Sequence, residues 1–417
     1  MNRFASIVAG LSLAFIGSSA TIAATINVPG DYPTIQEAIN ASSDGDTIQL
    51  VQGVYTENIN TNGTSITIQG TVVDGSPETI VQRPTDGQPV FEISSGTPTL
   101  RGLQILTLFP LGGTGISITG GNPTIDNCYI SGHTATGISI GDASGNATIT
   151  NCTISANSGP YSGGGIYCGQ NSNPTISDCT ISGNSATNRG GGIYCWGLGI
   201  TISGCTITGN TAATGGGIYG SAAGSTISNC HITGNTAGAG GGIYFYYFSP
   251  TISNCHITGN TANGDGSGWG GGIYCGPYSL PTLTDCHITD NRVNGSFAFA
   301  GGGISSSSDH SNPHLIGGTV SGNTNFLGFP ANISGKVTQG LRGEQSDLGR
   351  IILEDSTVCG TGEYNITGVL IEHRGENHIS DCIDEGDVNG DGDVDTNRAA
   401  PAWPSVFGRP RGLRGLH

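Results

Sequence analysis

The chain has 417 residues and a formal net charge of −17, with 13 lysine and arginine residues against 30 aspartate and glutamate residues. A chain this acidic disfavours nucleic acid as a partner, because it offers no basic patch to neutralise phosphates; it favours solubility or bound cations. The 73 glycines would by themselves indicate disorder, but the regular apolar pattern described below predicts an ordered fold.

Residues 1–24 have the features of a secretory signal peptide. Arg3 precedes an apolar run, Phe4–Ile16, and Ile22–Ala24 provide a cleavage site with small residues. The run is too short and too interrupted for a membrane-spanning helix, and no later segment could form one. The sequence therefore predicts a protein that is secreted or held at the cell surface, with no membrane span in the mature chain.

A short helix is predicted near the start of the mature chain. Thr34 and Glu37 have the spacing of a capping box, and Ile35, Ala38 and Ile39 form one apolar face. We expect this helix to cover the first coil, because a solenoid needs a cap at its end.

Three segments around this helix carry a family resemblance. They read Y-P-T-I-Q-E-A-I (32–39), G-D-T-I (45–48) and G-V-Y-T-E-N-I (53–59). They resemble the opening of the pectin-lyase-like superfamily of right-handed parallel β-helices, which includes pectate lyases, pectin esterases, alginate epimerases and many non-catalytic secreted proteins. The resemblance extends over Thr25–Asn323 and implies the fold more strongly than the function.

Two motifs recur in step from Asn122 to Asn323. The first, Ile-x-x-Cys-x-Ile-x-x-Asn, spaces its cysteines by 24 to 31 residues, and the second is Gly-Gly-Gly-Ile, usually followed by Tyr. A period of this size indicates a solenoid, and a repeat of Thr, Ile, Ser, Asn and Gly favours strands and corners over helices. We predict an all-β fold, a single-stranded right-handed parallel β-helix over residues 25–330, with three short strands in each coil of about 25 residues.

The same two motifs also resemble the repeats of polymorphic outer-membrane proteins, which are surface adhesins. Those repeats carry Phe where this chain has Ile181 or Ile207. The resemblance implies an adhesin-like role at the cell surface.

The recurring cysteines are predicted to form a buried stack of free thiols. Residues in register on neighbouring parallel strands lie about 4.8 Å apart, beyond the usual Cβ separation in a disulfide, so the thiols act as small apolar groups. Cys359 and Cys382 lie outside the period and are the candidates for a disulfide. The stacked set is Cys128, Cys152, Cys179, Cys205, Cys230, Cys255 and Cys286.

An asparagine recurs at one corner of every regular coil. Asparagine tolerates left-handed backbone, and a stack of its side chains would satisfy buried corner amides. The set is Asn157, Asn184, Asn210, Asn235, Asn260, Asn291 and Asn323.

A row of tyrosines is the first candidate binding site. These residues point outward one position after the Ile of the glycine motif, and an aromatic strip could stack on sugar rings or meet a protein partner. The alternative is that the rings stack on each other and shield the sheet. The candidates are Tyr167, Tyr194, Tyr219, Tyr244 and Tyr274, with Trp196, Trp269 and the aromatic run Phe245–Phe248 nearby.

A second row consists of His231, His256 and His287, each one position after an inward cysteine. Imidazoles on successive coils could hold a transition metal or respond to mild acid. The alternative is a solvated row that replaces the threonines of earlier coils.

Catalytic residues are not evident in the pattern. A lyase of this superfamily needs an Arg or Lys base beside acidic calcium ligands, whereas Arg189 and Arg292 stand alone among the regular coils, and Asp178 and Asp285 are isolated. Single charges of this kind are usually ordinary surface residues. The catalytic residues therefore stay unassigned.

The C-terminal part departs from the repeat. Residues 331–385 are expected to hold the last coils and a C-terminal cap, and residues 399–417 form an irregular tail interrupted by prolines. Between them, residues 386–398 match the first nine positions of a calcium loop and resemble the loop of dockerin modules, which attach secreted proteins to cohesin partners. Arg398 stands where an acidic ligand is expected. The candidate calcium ligands are Asp387, Asn389, Asp391, Asp393 and Asp395.

These features predict a secreted or surface-attached, non-catalytic β-helix that presents a repetitive face to carbohydrate or protein. Two alternatives stay open. One is a polysaccharide-active enzyme that carries out calcium-dependent elimination on acidic polysaccharide, and the other is a dockerin-bearing subunit of an extracellular complex with a cohesin-like partner. Calcium is the one cofactor that the sequence indicates.

Overall fold

The protein is a parallel β-solenoid in this computed structural model. The structure describes residues 22–84, 87–107, 112–142, 145–197, 199–221, 224–264, 270–294, 301–307, 311, 313–325, 333–335, 350–354, 356–359, 366–367, 370–374 and 378–380. All of them lie in the first of two compact units into which the chain divides, Met1–Asp381. Residues 1–21 of the predicted signal peptide, the calcium loop, Cys382 and the tail lie outside the described residues.

Three long parallel sheets, named A, B and C here, run along the solenoid, and each coil contributes one strand to each sheet. The predicted all-β parallel β-helix is confirmed. The strands of sheet A are Thr25–Val28, Thr47–Leu50, Thr67–Gln69, Thr99–Arg101, Thr124–Asp126, Thr148–Thr150, Thr175–Ser177, Thr201–Ser203, Thr226–Ser228, Thr251–Ser253, Thr282–Thr284, His314–Ile316, Arg350–Glu354 and Leu370–Arg374.

Sheets B and C continue in the same order along the axis. The strands of sheet B are Gly53–Thr56, Thr79–Gln82, Leu103–Leu106, Tyr129–Ser131, Thr153–Ser155, Thr180–Ser182, Thr206–Thr208, His231–Thr233, His256–Thr258, His287–Thr289, Thr319–Ser321, Thr357–Cys359 and His378–Ser380. The strands of sheet C are Ile59–Asn60, Phe91–Ile93, Ile116–Ile118, Ile138–Ile140, Ile166–Cys168, Ile193–Cys195, Ile218–Gly220, Ile243–Phe245, Ile273–Cys275, Ile304–Ser306, Ile333–Gly335 and Ile366–Thr367.

A fourth, shorter sheet was not predicted. Its strands lie between those of sheets B and C in sequence, and it is called the side sheet here. Its inward-facing side chains are small, and Ala262 and Val293 among them are fully buried. The regular coils therefore have four strands rather than the predicted three. The strands of the side sheet are Ser158–Gly159, Ser185–Ala186, Thr211–Thr214, Thr236–Ala239, Thr261–Ala262 and Arg292–Val293.

The predicted cap helix is present at Ile35–Ala41. Its apolar residues Ile35, Ala38 and Ile39 are buried, and Thr34 Oγ1 accepts the backbone N–H of Glu37 at 3.2 Å. The two remaining backbone N–H groups of the first turn donate to the carboxylate of Glu57 at 3.0 Å each. A side chain of the first coil therefore completes the cap and fixes the helix on the end of the solenoid.

The interior matches the predicted alternation. Ile176, Cys179, Ile181, Ile193 and Cys195 are at most 1% exposed. The three isoleucines lie in register with the isoleucines of the next coil, Ile202, Ile207 and Ile218. Burying one such isoleucine contributes about 1.5–3 kcal/mol. The core is therefore a set of apolar columns that run along the axis.

The corner between sheets A and B needs one residue in left-handed backbone. Asp178 has φ 53° and Gly204, in the next coil, has φ 63°. The step of three between Ile176 and Cys179 is thus a corner, as predicted. Asn, Asp and Gly occupy this position because they adopt left-handed backbone at low cost.

The asparagine stack is confirmed as a continuous hydrogen-bonded ladder. The backbone N–H and Nδ2 of Asn184 both donate to Oδ1 of Asn210, at 2.9 and 3.0 Å, and Nδ2 also donates to the carbonyl of Ile154 at 2.9 Å. One detail of the prediction is wrong, since the left-handed residue is the preceding one, such as Gly183 with φ 61°. The asparagine supplies the hydrogen bonds and its neighbour supplies the turn.

Each position of the glycine triplet requires glycine for a different reason. Gly190 adopts φ 63°. A Cβ on Gly191 would lie 2.5 Å from the carbonyl oxygen of Thr211 in the side sheet, and one on Gly192 would lie 3.1 Å from Nδ2 of Asn210. The triplet therefore lets the chain pass between the side sheet and the asparagine ladder, which no larger side chain would allow.

The described cysteines are all free and buried, which confirms the predicted thiol stack. Sγ of Cys179 lies 3.1 Å from the carbonyl of Ser177, so the thiol is hydrogen-bonded within its own corner. Burial raises the pKa of the Cys275 thiol above its usual range, which keeps it protonated and unreactive. The candidate pair Cys359 and Cys382 is untested, because the Cys359 side chain and the whole of Cys382 lie outside the described residues.

Candidate binding surfaces

The tyrosine row forms a stack along sheet C. Consecutive ring centroids lie 5.2, 5.4, 5.2 and 4.8 Å apart from Tyr167 to Tyr274, and the first three pairs are close to parallel. The register of the strands places these residues in one column. Each inner ring therefore has another tyrosine on both faces.

The row is also largely covered. Tyr194, Tyr219 and Tyr274 are only 3–4% exposed, and burial raises the pKa of Tyr194 and of Tyr244 to about 12. The predicted outward direction is right, and the inner rings, Tyr194, Tyr219 and Tyr244, have both faces covered by other tyrosines. The rings stack on each other, as the alternative predicts, and ligand binding by the row stays a prediction.

The predicted basic residues do not assemble a catalytic site. The Arg189 guanidinium lies 5.2 Å from the ring centroid of Tyr219 and forms a cation–π contact. Arg292 is exposed in the side sheet. Elsewhere, Arg101 Nε forms an ion pair with Asp126 at 2.9 Å on the outer face of sheet A.

The exposed aromatic surface lies beside the row, in the loops that connect sheet C to sheet A. We call it the aromatic corner and define it as Trp196, Tyr246, Tyr247, Tyr278 and Leu280, which are 38–53% exposed. Tyr246 packs edge-on against Tyr247 at 4.6 Å, and Tyr247 stacks on Tyr278 at 5.1 Å and 17°. These side chains present an apolar surface to solvent.

Two of these tyrosines are held in unusual backbone. Tyr247 has φ 52° and Tyr278 has φ 55°, in equivalent loops of neighbouring coils. The loops are anchored beneath them, because Phe248 is 1% exposed and packs on Phe245 at 5.2 Å, while the Ser279 backbone N–H donates to the carbonyl of Gly276. The anchors turn inward and the two tyrosines turn outward.

Trp196 extends the aromatic corner along the axis. The backbone N–H of Trp196 donates to the carbonyl of Cys168 in the preceding coil, and the backbone N–H of Tyr246 donates to the carbonyl of Gly220 in the same way two coils later. The two residues therefore occupy equivalent positions about 10 Å apart along the axis. The sequences of the four loops at 196–200, 221–225, 246–250 and 276–281 contain no charged residue. Trp269, also predicted to contribute, lies outside the described residues.

The histidine row forms a second stack, on the outer face of sheet B. The rings of His231, His256 and His287 are exposed and 5.0 Å apart, at interplanar angles of 9° and 20°. Partial burial and the two neighbouring imidazoles lower the pKa of His256. The rings stack rather than converge, and within the described residues no group of three or more His, Cys, Asp or Glu side chains is placed to hold a metal ion.

Sequence reasoning found part of the aromatic corner and missed the rest. Trp196, Tyr246 and Tyr247 were included among the aromatics near the row, but Tyr278 and Leu280 were not. Both lie in the loop at 276–281, which has no motif of its own. The usable signal was the length of this loop. Between the strands Ile273–Cys275 and Thr282–Thr284 it holds one residue more than each of the three preceding loops at 196–200, 221–225 and 246–250.

Comparison with known proteins agrees with this architecture. The family model for a right handed beta helix region matches residues 52–219 and 182–335. No curated protein matches the chain. The described residues include no helix long and apolar enough to cross a membrane.

Several solved structures are similar to this chain at low identity. The A-module of the mannuronan C-5 epimerase AlgE6 of Azotobacter vinelandii has 14% identity over 77% of this chain and 92% of its own, with a TM-score of 0.39. Tailspike protein 2 of Escherichia coli O157:H7 bacteriophage CAB120 has 12% identity over 84% of this chain and 46% of its own, with a TM-score of 0.48. Pectate lyase Pel9A has 11% identity over 85% of this chain and 79% of its own, with a TM-score of 0.39. Similarities at this level carry no information on activity.

Proposed function

The chain belongs to the right-handed β-helix family, and we propose that it is a secreted or cell-surface, non-catalytic protein that binds uncharged polysaccharide at the aromatic corner. The supporting observation is the pair Tyr247 and Tyr278, which are half-exposed, stacked on each other and both held in left-handed backbone.

The backbone of these two residues favours a role for their side chains. A bulky residue in left-handed backbone costs about 1–3 kcal/mol, and Asn, Asp or Gly would occupy the same position at lower cost. At the corner between sheets A and B the chain does use Asn, Asp and Gly. Tyrosine at two neighbouring loops is therefore better explained by what the ring does at the surface than by the turn.

The chemistry of the surface favours an uncharged glycan. An exposed aromatic ring stacks on the apolar face of a sugar, and its polar edge remains in water. The four loops have no charged side chain to pair with a uronate, and the formal charge of −17 repels a polyanion. A protein partner remains the alternative for the same surface.

The non-catalytic part of the proposal is supported by the scattered charges. Arg101 is paired with a single aspartate, and Arg189 lies over an aromatic ring, so neither faces the cluster of acids that a calcium-dependent lyase would need. Calcium binding at 387–395, with a cohesin-like partner, stays a separate prediction because that loop lies outside the described residues.

The test is retention of a panel of neutral and acidic polysaccharides on the immobilised chain from Thr25 onward. Replacing Tyr247 and Tyr278 with Asn removes the rings and keeps a residue that tolerates left-handed backbone. We expect the double variant to lose at least about tenfold in affinity, about 1.4 kcal/mol. Tyr161→Ser, at a 77% exposed tyrosine outside the aromatic corner, is the matched control.

Two outcomes would overturn the proposal. Wild-type protein that retains none of the neutral polysaccharides would reject a glycan ligand and turn attention to proteins. Retention that is equal in wild type and in the Tyr247→Asn, Tyr278→Asn double variant would place the binding site elsewhere.

A further inference from the structure

A hairpin interrupts the regular solenoid at the corner between sheets A and B. Its strands, Val72–Val73 and Ser76–Pro77, pair antiparallel. Asp74 and Gly75 form the two-residue turn, with φ 50° and 83°, as a tight hairpin requires. Most other coils cross this corner with one left-handed residue, such as Asp178 or Gly204, so the hairpin projects from the solenoid. Insertions that project from a solenoid are common sites of binding.

The column of side chains beside the hairpin also departs from the repeat. Gln104, Tyr129 and Thr153 lie in register on the outer face of sheet B, and Thr180 continues the column. The next three coils have Thr at this position, at Thr153, Thr180 and Thr206, and the three coils after them carry the histidine row. Gln104 and Tyr129 are therefore larger than the threonines of the adjacent coils at the point where the hairpin lies. Gln104 Nε2 donates to the carbonyl of Pro77 at 2.6 Å and ties the hairpin to the sheet.

The hairpin and this column border an open cavity of about 330 Å³. It is lined by residues of the hairpin, of sheet B and of the corner: Gly75, Ser76, Pro77, Gln104, Tyr129, Thr153, Asn127, Cys128 and Asn151. The volume lies at the lower end of the range for small-molecule sites. None of the lining residues carries a charge.

The polar groups of the cavity are held in place by their neighbours. Asn151 Nδ2 donates to Asp126 Oδ1 at 3.0 Å, and the other oxygen of Asp126 pairs with Arg101 at 2.9 Å. The Tyr129 hydroxyl is 3.4 Å from Ser155 Oγ. Hydrogen bonds from Ser155 and Ser131 to the phenol oxygen lower the pKa of Tyr129.

This composition selects for one kind of ligand. Amides and hydroxyls offer both donors and acceptors, and the Tyr129 ring offers one apolar surface. A purely apolar ligand would leave these polar groups without partners, and a charged ligand would meet no opposite charge in the lining. A polyhydroxylated, uncharged ring satisfies both conditions.

We propose that the cavity beneath the hairpin, lined by Gln104, Tyr129 and the amides of Asn127 and Asn151, binds a single neutral pyranose. The pyranose is either a free sugar or the end unit of a glycan. The site lies on sheet B and is independent of the aromatic corner, so each can fail without the other.

The test is binding of the methyl glycosides of glucose, galactose, mannose and N-acetylglucosamine to the full chain, measured by saturation-transfer NMR and calorimetry. Tyr129→Thr and Gln104→Thr each introduce the Thr that the next three coils have in this column, at Thr153, Thr180 and Thr206, so both variants should keep the fold. We expect at least one glycoside to bind the wild type and each variant to weaken that affinity about tenfold or more. Thr180→Ala in the same column and Tyr247→Asn in the aromatic corner should leave it unchanged.

Two further arms complete the experiment. A linear glycan with a free non-reducing end separates the two sources of the sugar, because it competes only if the site accepts the end unit of a chain. A cyclic oligosaccharide, which has no ends, should fail to compete in either case. Absence of binding by all four glycosides, or binding that survives both Tyr129→Thr and Gln104→Thr, would overturn the proposal. Binding lost in Tyr247→Asn would also overturn it, because the sugar would then occupy the aromatic corner.

Discussion

His133 occupies the first position of the asparagine ladder and gives a quantitative test of the fold. It is fully buried; its backbone N–H donates to Asn157 Oδ1 at 3.1 Å, and its Nε2 lies 3.0 Å from the carbonyl of Ile105. Burial, with a contribution from the charge of Arg83, lowers the pKa of His133 to about 4. The contacts are those of a ladder asparagine, so Asn should replace His133 without loss of its hydrogen bonds.

The pH dependence follows from the depressed pKa. An unfolded histidine has a pKa of about 6.5, so below that pH the unfolded chain takes up a proton that folded His133 does not. The free energy of unfolding therefore falls as the pH is lowered from about 6.5 to about 4, by about 3 kcal/mol for a difference of 2.5 units. His133→Asn removes this contribution.

The assay is urea unfolding followed by circular dichroism at several pH values between 7 and 4. We expect the difference in stability between His133→Asn and wild type to grow by about 3 kcal/mol in favour of the variant over this range. His231→Thr, at an exposed histidine whose register partner in the preceding coil is Thr206, is the control and should follow the wild type. A variant that loses as much stability on acidification as the wild type would refute the reasoning.

Three further predictions concern the solenoid itself. Asn235→Ala removes the oxygen that accepts two hydrogen bonds from Asn210 and leaves those buried donors unsatisfied, so we expect the free energy of unfolding to fall by about 2–4 kcal/mol. In the same urea unfolding experiment, Ser228→Ala on the outer face should lower it by less than about 0.5 kcal/mol. Equal effects of the two substitutions would contradict the ladder. Gly241→Ala would place a Cβ 2.6 Å from the carbonyl of Gly271, so a loss of at least about 2 kcal/mol is expected in the same assay, and a neutral result would disprove the close approach. The buried cysteines should resist a thiol reagent in the folded protein and react once it is denatured; rapid reaction of the native chain would show that the thiol stack is open to solvent.

Much of the solenoid could be predicted because its signals repeat. The step of three between Ile176 and Cys179 marks a corner in every coil, and the cysteine period fixes the register, so the interior columns follow from the sequence alone. The side sheet was missed because its strands, such as Ser185–Ala186, have only two to four residues and no apolar alternation. The hairpin at Asp74–Gly75 was also missed, although Asp-Gly is a strong turn signal, because it lies before the regular repeats begin.

The candidate site was harder to predict than the fold. The tyrosine row could be read from the sequence, but its burial depends on neighbouring rings and on the chain that packs over them, which a single coil does not reveal. The left-handed backbone of Tyr247 and Tyr278 has no local signature, because both residues normally avoid it. His133 is a single departure from the ladder, and only the structure places it in register with Asn157.

The proposed function is tested most directly by one experiment with a neutral polysaccharide that the protein retains. Its binding to wild type is compared with its binding to the Tyr247→Asn, Tyr278→Asn variant, and the recovered polysaccharide is then analysed. We predict that the wild type retains the polysaccharide and returns it at its original chain length, with no newly formed unsaturated ends, and that the variant retains about tenfold less. Shortened chains or unsaturated ends would show an enzyme, and equal retention by both proteins would show that the aromatic corner is not the binding surface.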